Sequence, residues 1–216
     1  MQPYFFPYLG YYRLLAAADT FVILDNVQHQ RRGWIHRNKF LKSSGAEDWL
    51  TLPIIKGDRD NTLIKDVEFR ENIDAKELIG SFQIGSKVAE IQSYWPNFLT
   101  LSGSLLDYLE ETIVLTGNLL GFNPNVVRAS RLAEKKDLSG EDYIVSLCKE
   151  LEAETYINAP GGRFLYGREK FEEKCINLKF LSEYVGPKTN VLERILNEDI
   201  KNLKEEVSSN LEFQQP

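Results

Sequence analysis

Apolar residues recur along this chain at two periods, and the alternation of the two predicts a layered α/β order. Over residues 8–18, Leu9, Tyr12, Leu15 and Ala16 recur at helical spacing, and 20–24 follows as an apolar run of buried-strand length ending in Asp25-Asn26. Residues 1–3 read as a very short strand or turn. The run 50–55, the Gly-Asp-rich turn 57–61 and a second strand at 65–69 predict a hairpin-like excursion. Residues 75–120 read as helix in three pieces, broken at Gly85, Pro96 and Gly117-Asn118, with Leu99, Leu101, Leu105, Leu106, Leu109 and Ile113 as one apolar stripe.

The second half repeats strand and helix. Residues 126–129 predict a strand, 139–151 a helix with an N-cap at Ser139 and acids in its first turn, and 155–158 a strand. A helix at 167–175 and a strand at 178–181 complete a βαβαβ order, which predicts parallel strands with right-handed crossovers. The expected fold is α/β, a mostly parallel Rossmann-like sheet with an inserted hairpin and a helical insertion at about 74–121. Residues 1–184 form the domain, and 185–216 an amphipathic helix (190–207) and a frayed tail.

Composition narrows the function classes. The 216 residues are 43% hydrophobic and 27% charged, as in an ordinary globular domain. A net charge of −6 and a pI near 5.2 argue against bulk nucleic-acid binding, which relies on a basic face to release counterions. A local basic run remains in Arg31, Arg32, Arg37 and Lys39, suited to a phosphate, a nucleotide sugar or an acidic carrier, or simply to a solvated loop. Cys148 and Cys175 sit in apolar segments and read as structural thiols. With His29 and His36 as the only histidines, the sequence predicts no metal site, and the residues identify no cofactor. No stretch is apolar enough for a membrane span, and a cytoplasmic location is expected.

Three groups carry candidate chemistry. The turn from Gln2 to Gly10 is stiffened by two prolines; Gln2, Tyr4, Tyr8 and Gly10 are its candidate substrate contacts, while the remaining aromatics read as packing. Asp25, Arg37 and Asn38 form the candidate catalytic group, with Asp25 as a base at a strand end and Gln28, Arg32, Trp34 and His36 as substrate contacts. An Asp capping its own turn is the packing alternative for Asp25. The loop Asn158-Ala159-Pro160-Gly161-Gly162-Arg163 could offer backbone N–H groups and a guanidinium to an anion, with Asn158, Gly161, Gly162 and Arg163 as contacts and Tyr166 closing the pocket. Neither a serine elbow nor a Walker loop is present, which disfavours covalent acyl-enzyme chemistry.

The run Met1-Gln2-Pro3-Tyr4-Phe5-Phe6-Pro7-Tyr8-Leu9-Gly10-Tyr11, the Asp25-Asn26-Val27-Gln28 and Trp34-Ile35-His36-Arg37-Asn38 segments, Trp49-Leu50-Thr51-Leu52-Pro53-Ile54 and Tyr156-Ile157-Asn158-Ala159-Pro160-Gly161-Gly162 together resemble the WbqC-like family. The resemblance implies a bacterial protein encoded among genes for surface polysaccharide (O-antigen) that transfers an acyl group such as glycine to a sugar. The leading hypothesis is then a non-covalent transferase that lines up an activated acyl or aminoacyl donor, free or on a carrier, with an amino or hydroxyl group of a nucleotide-linked sugar. It also implies strand residues ahead of the Met-Gln-Pro, so that the sheet edge is expected to be trimmed here. The family usually carries Asn where His36 stands, which makes His36 a polar contact rather than the catalyst. Relatives carry an apolar, aspartate-containing helix after the last strand, where this chain has a charged one with Asp199 and no assigned catalytic role. Tyr8-Leu9-Gly10-Tyr11 is also similar in placement to the His-x-Gly-His signature of HUP-like adenylyl-transfer enzymes, with both histidines replaced by tyrosine. The alternative functions are therefore an ATP-using nucleotidyl transferase or ligase, and a non-catalytic sugar-nucleotide binding protein.

Overall fold

The computed structural model describes residues 1–58, 61–132, 138, 140–209 and 211–214. The described strands are β1 (Thr20–Ile23), β2 (Arg37–Leu41), β3 (Glu47–Thr51), β4 (Asn125–Arg128), β5 (Thr155–Asn158), β6 (Asn177–Leu181) and β7 (Phe213–Gln214). The helices are α1 (Tyr12–Ala17), α2 (Ala75–Ile79), α3 (Val88–Tyr94), α4 (Leu105–Leu119), α5 (Ala129–Leu132), α6 (Gly140–Glu150), α7 (Arg168–Glu172), α8 (Val191–Asn197) and α9 (Ile200–Ser209).

These strands form three small sheets. β1 runs parallel to β4, β5 runs parallel to β6 with β7 antiparallel on its far side, and β2 pairs antiparallel with β3. The chain is thus mixed α/β with parallel pairs, but the single mostly parallel sheet expected from the strand–helix order is not formed. A slot of about 470 Å³ lies between β1 and β5 and keeps the two parallel pairs apart. Met1 stands at its edge, donating from its nitrogen to Val22 O (2.6 Å) and accepting from Leu24 N (2.8 Å).

The hairpin is also placed differently. Residues 54 and 69 touch only through an isolated bridge, and the regular hairpin joins β2 to β3. The polar run Arg37-Asn38-Lys39 reads as loop, yet it becomes strand because Asn38 and Phe40 turn inward while Lys39 and Leu41 turn out. Pro53 lacks an N–H and ends the ladder just beyond β3.

Local chemistry accounts for several helix ends. Ser104 caps α4 by accepting from Asp107 N, and Gly121, at φ +78°, turns the chain out past its end. Leu105, Leu106, Leu109 and Ile113 are the buried face of α4, as the stripe predicts. Asp74 caps α2 in the same way. The expected N-cap at Ser139 lies outside the described residues, and α6 is described from Gly140. The C-terminal helix splits in two where Glu198 adopts an extended backbone (φ −131°, ψ 157°). Both halves face the interior: Val191, Leu192 and Ile195 of α8 and Leu203 and Val207 of α9 belong to the main core with Phe5, Phe6 and Trp95. A second cluster, centred on Tyr143, Phe171 and Phe180, packs on the other face of the strands through Val22, Leu24 and Tyr156.

Candidate functional site

The N-terminal turn is built on two buried aromatic rings. Phe5 and Phe6 are buried in the core, and Phe6 edges onto Trp95 with centroids 5.3 Å apart. Phe6 has φ +43°, a left-handed conformation that a bulky side chain adopts only when its surroundings enforce it. Asn38 supplies that restraint: its side-chain amide, itself buried, donates to the carbonyls of Phe5 (2.9 Å) and Phe6 (2.8 Å) and accepts from Lys39 N (2.8 Å). Asn38 therefore positions the turn.

Beyond the clamp the turn opens into a tyrosine-lined cleft of about 70 Å³. Tyr4, Tyr8, Tyr11 and Tyr184 surround it, with Arg13, Glu183 and Lys188 as its charged groups. Ala159 and Pro160, just past the end of β5, and Leu181, the last residue of β6, complete it, so it lies at the carboxyl ends of a parallel pair. Tyr11 Oη donates to Gln2 O (3.0 Å) and Tyr4 Oη to Gln2 Oε1 (3.4 Å). Desolvation raises the phenol pKa values of Tyr4, Tyr8 and Tyr11, so these hydroxyls stay neutral hydrogen-bonding groups. Gly10 is buried, and a Cβ there would stand 2.3 Å from Tyr8 Cε2 and 2.7 Å from Tyr184 Cγ, so its role is to let two rings close on the backbone. Arg13 donates to Ser182 O (2.8 Å) and Ser182 Oγ (2.9 Å), and burial lowers its pKa.

The Asp25 group occupies the carboxyl ends of the other parallel pair. Asp25 is fully buried; one carboxylate oxygen accepts from Ser130 N (2.9 Å) and the other from the Ser130 hydroxyl at the start of α5. Asn26 Nδ2 donates to Tyr143 Oη (2.5 Å), while Asn26 Oδ1 is buried with no partner among the described residues. Ser130 itself is exposed, which makes its hydroxyl the solvent-facing end of a buried carboxylate.

The basic run is held largely by its own loop. Arg37 donates to Gly33 O (3.2 Å) and Arg32 O (2.5 Å), and its guanidinium lies 4.1 Å over the Trp49 ring, which also packs against Trp34. Arg32 and Gln28 are exposed, Gln28 being bridged to Leu63. His36 Nδ1 and His29 Nε2 share a 3.1 Å hydrogen bond in the interior, and burial pushes the His36 imidazole down to about 4. Both rings are neutral at neutral pH, one nitrogen donating and the other accepting.

In the loop after β5, Asn158 caps its own turn by accepting from Ala159 N (2.7 Å), and Gly162 packs where a Cβ would meet the Asn158 amide at 2.5 Å. Gly161 is exposed. Arg163 follows one turn on from Pro160, and its Nε and Nη2 are enclosed with no acceptor among the described residues. Tyr166 packs edge-on to Tyr156 and Phe171 rather than over the cleft.

The WbqC-like protein family matches residues 2–188, a span that takes in the turn, the cleft and the Asp25 group. The chain belongs to this family. It is also 26% identical over 196 residues to the uncharacterized protein Rv1507c of Mycobacterium tuberculosis, covering 86% of this chain and 81% of that one. No solved structure matches it.

In this WbqC-like chain the fold brings Tyr4, Tyr8 and Gly10 to one cleft with the loop after β5. Gln2, Asp25, Gln28, Arg32, Trp34, His36, Arg37, Asn38, Asn158, Gly161, Gly162, Arg163 and Tyr166 are not among its lining residues. Tyr11, Arg13, Glu183, Tyr184 and Lys188 join it without having been singled out in the sequence. Tyr11 reads there as aromatic packing, and the usable signal for Tyr184 was its place three residues past a predicted strand end. Among the described residues no group of three His, Cys, Asp or Glu side chains is placed to hold a metal ion, and no helix is long and apolar enough to cross a membrane.

Proposed function

We propose that this WbqC-like protein is a non-covalent transferase that moves an acyl or aminoacyl group, of the glycine type, to a nucleotide-linked sugar used for bacterial surface polysaccharide. The observation that carries this reading is the tyrosine-lined cleft at the carboxyl ends of β5 and β6, with Arg163 three residues along the chain from the cleft residue Pro160 and its Nε and Nη2 buried without an acceptor among the described residues. Aromatic walls with neutral hydroxyls suit a sugar ring, and an unmatched guanidinium suits a diphosphate. The cleft lining contains no serine, cysteine or histidine, which favours direct transfer between two bound substrates by orientation and charge stabilisation. In this reading the acceptor's amine or hydroxyl forms the new acyl bond as the bond from the acyl group to its carrier breaks, the carrier leaving. Asp25, outside the cleft lining, is the candidate base through the exposed Ser130 hydroxyl, and Asn38 holds the turn that shapes the cleft.

One observation favours a second reading, a sugar-nucleotide binding protein without catalysis: Asp25 has both carboxylate oxygens engaged by Ser130, and Arg37 is engaged by its own loop. Thermal shift and product assay together separate the two. A nucleotide sugar should raise the unfolding midpoint of the parent in a concentration-dependent way, and Arg163→Ala should remove that shift. Product formed from a glycyl or acyl donor by the parent and lost in Asp25→Asn supports the transferase. Full binding with no product from any donor supports the binding protein, and a shift unaltered in Arg163→Ala refutes the placement of the diphosphate.

A further inference from the structure

Trp34, Trp49 and the cations around them lie outside the cleft lining. Residues 28–56 hold six Lys and Arg residues against two acids, a net charge of +4 within a chain of −6. Those two acids, Glu47 and Asp48, are engaged by Lys39 and Lys42. Asp58, the next acid along the chain, accepts from Asn61 Nδ2 (2.7 Å). Arg31, Arg32, Arg37 and Lys56 are therefore the cations that the segment's own carboxylates do not neutralise.

The β2–β3 hairpin sets part of this charge beside aromatic rings. Lys39 stands opposite Trp49 in the ladder and Arg37 is the diagonal neighbour, so all three share one face. Their charges lie 6.0 Å (Lys39) and 4.1 Å (Arg37) from the Trp49 ring centre. Trp34 packs on Trp49 with centroids 4.9 Å apart and keeps 46% of its surface exposed. The loop that carries Trp34 is held in place from both sides. Arg37 grips the carbonyls of Gly33 (3.2 Å) and Arg32 (2.5 Å), and Arg31 donates to Gly57 O (2.6 Å). A lone exposed apolar residue needs no explanation, but an open indole on a braced loop among unneutralised guanidinium groups matches a ligand that is both planar and anionic.

We infer that this platform is a nucleotide site, in which an aromatic base stacks on Trp34 while its phosphates bond to Arg31 and Arg32. An acidic peptide would meet the cations and leave the indole idle, and a neutral sugar would do the reverse; a nucleoside phosphate uses both. The backbone joins the platform to the cleft: Phe5 N donates to Trp34 O (3.1 Å), and Tyr4, next to Phe5, lines the cleft. Arg163, which serves the acceptor's diphosphate, follows a different lining residue, Pro160. The nucleotide on Trp34 is thus a second one, the handle of the acyl donor. A coenzyme and an RNA end share that chemistry. The assignment to the donor rests on the transferase reading; the binding of a nucleotide does not.

The test is calorimetric titration of the full chain with adenosine diphosphate, repeated in Trp34→Leu, Trp34→Phe, Arg32→Ala and Arg163→Ala. The parent should bind saturably, and Trp34→Leu should weaken binding about fivefold or more, the loss of one stacked base. Trp34→Phe keeps an aromatic face and should retain most of the affinity. Arg32→Ala should weaken binding and flatten its dependence on salt. Arg163→Ala should leave it unchanged. Absence of saturable binding, or equal affinity in Trp34→Leu, overturns the inference. So does a loss in Arg163→Ala as large as that in Trp34→Leu, which puts the base in the cleft. Polyglutamate bound as tightly as the nucleotide, with no effect of Trp34→Leu, overturns it in favour of an acidic protein partner. Coenzyme A and a single-stranded RNA octamer, each competed against adenosine diphosphate, identify the source of the handle as the one that displaces it at lower concentration. Binding through Trp34 in a protein that forms no acyl product upholds the nucleotide site and refutes the transferase reading instead.

Discussion

Asn38→Ala tests the clamp on the N-terminal turn. The substitution removes two buried hydrogen bonds, 2.9 Å to Phe5 O and 2.8 Å to Phe6 O, and leaves both carbonyls in the interior beside a residue held at φ +43°. Each carbonyl left without its donor costs about 1.5 kcal/mol, within the range for an unmatched buried acceptor, so the total loss is about 3 kcal/mol. At 2–4 °C per kcal/mol the midpoint should fall by about 6–12 °C. Urea unfolding should show a lower midpoint at an unchanged slope, because the surface exposed on unfolding is the same. Asn38→Asp is the sharper control. Its carboxylate would face two carbonyl oxygens, which raises its folded-state pKa, so its deficit relative to the parent at the same pH should be largest at pH 7.5 and shrink toward pH 5 as the acid protonates and regains a donor. A loss below about 1 kcal/mol for Asn38→Ala, or a deficit in Asn38→Asp that is flat with pH, would refute the clamp.

The His29–His36 pair should make the fold acid-labile. Burial lowers both pKa values, His36 to about 4, so their contribution is complete above the unfolded value of about 6.5 and is lost as pH falls toward 4. For His36 alone this is about 2 kcal/mol at pH 5, and His36→Gln should flatten the stability profile between pH 7 and 5; an unchanged slope would count against it. Gly10→Ala should lose about 1–3 kcal/mol by forcing the Tyr8 and Tyr184 rings apart, and should lower ligand affinity in the cleft; wild-type stability and binding would show that the rings are not in contact with the backbone. A thiol reagent at pH 7.5 should label one cysteine, Cys175, which is exposed, and reach Cys148 only on unfolding, since burial pushes that thiol up to about 11; fast labelling of both would contradict the packing of α6.

The sequence by itself determined most of the local elements and the family. The apolar stripe of α4, the strand runs of β1, β5 and β6, and the motifs at residues 2–12, 25–28 and 156–162 are short-range patterns, and a short-range pattern is readable in one dimension. Tertiary structure decided what those motifs do. Asn38 reads as a polar site residue and becomes a turn clamp because Phe5 and Phe6, more than thirty positions away, bring two carbonyls to it. β2 is strand because of the same contact. Tyr184 and Arg13 enter the cleft only through the side-by-side placement of β6 and the N-terminal turn, and Asp25 meets Ser130 across 105 positions of chain. Strand order implied one continuous sheet, but sheet continuity depends on which edges meet, and between β1 and β5 a slot of about 470 Å³ keeps the edges apart. Periodicity records which face of an element is buried; it carries no record of the partner that buries it.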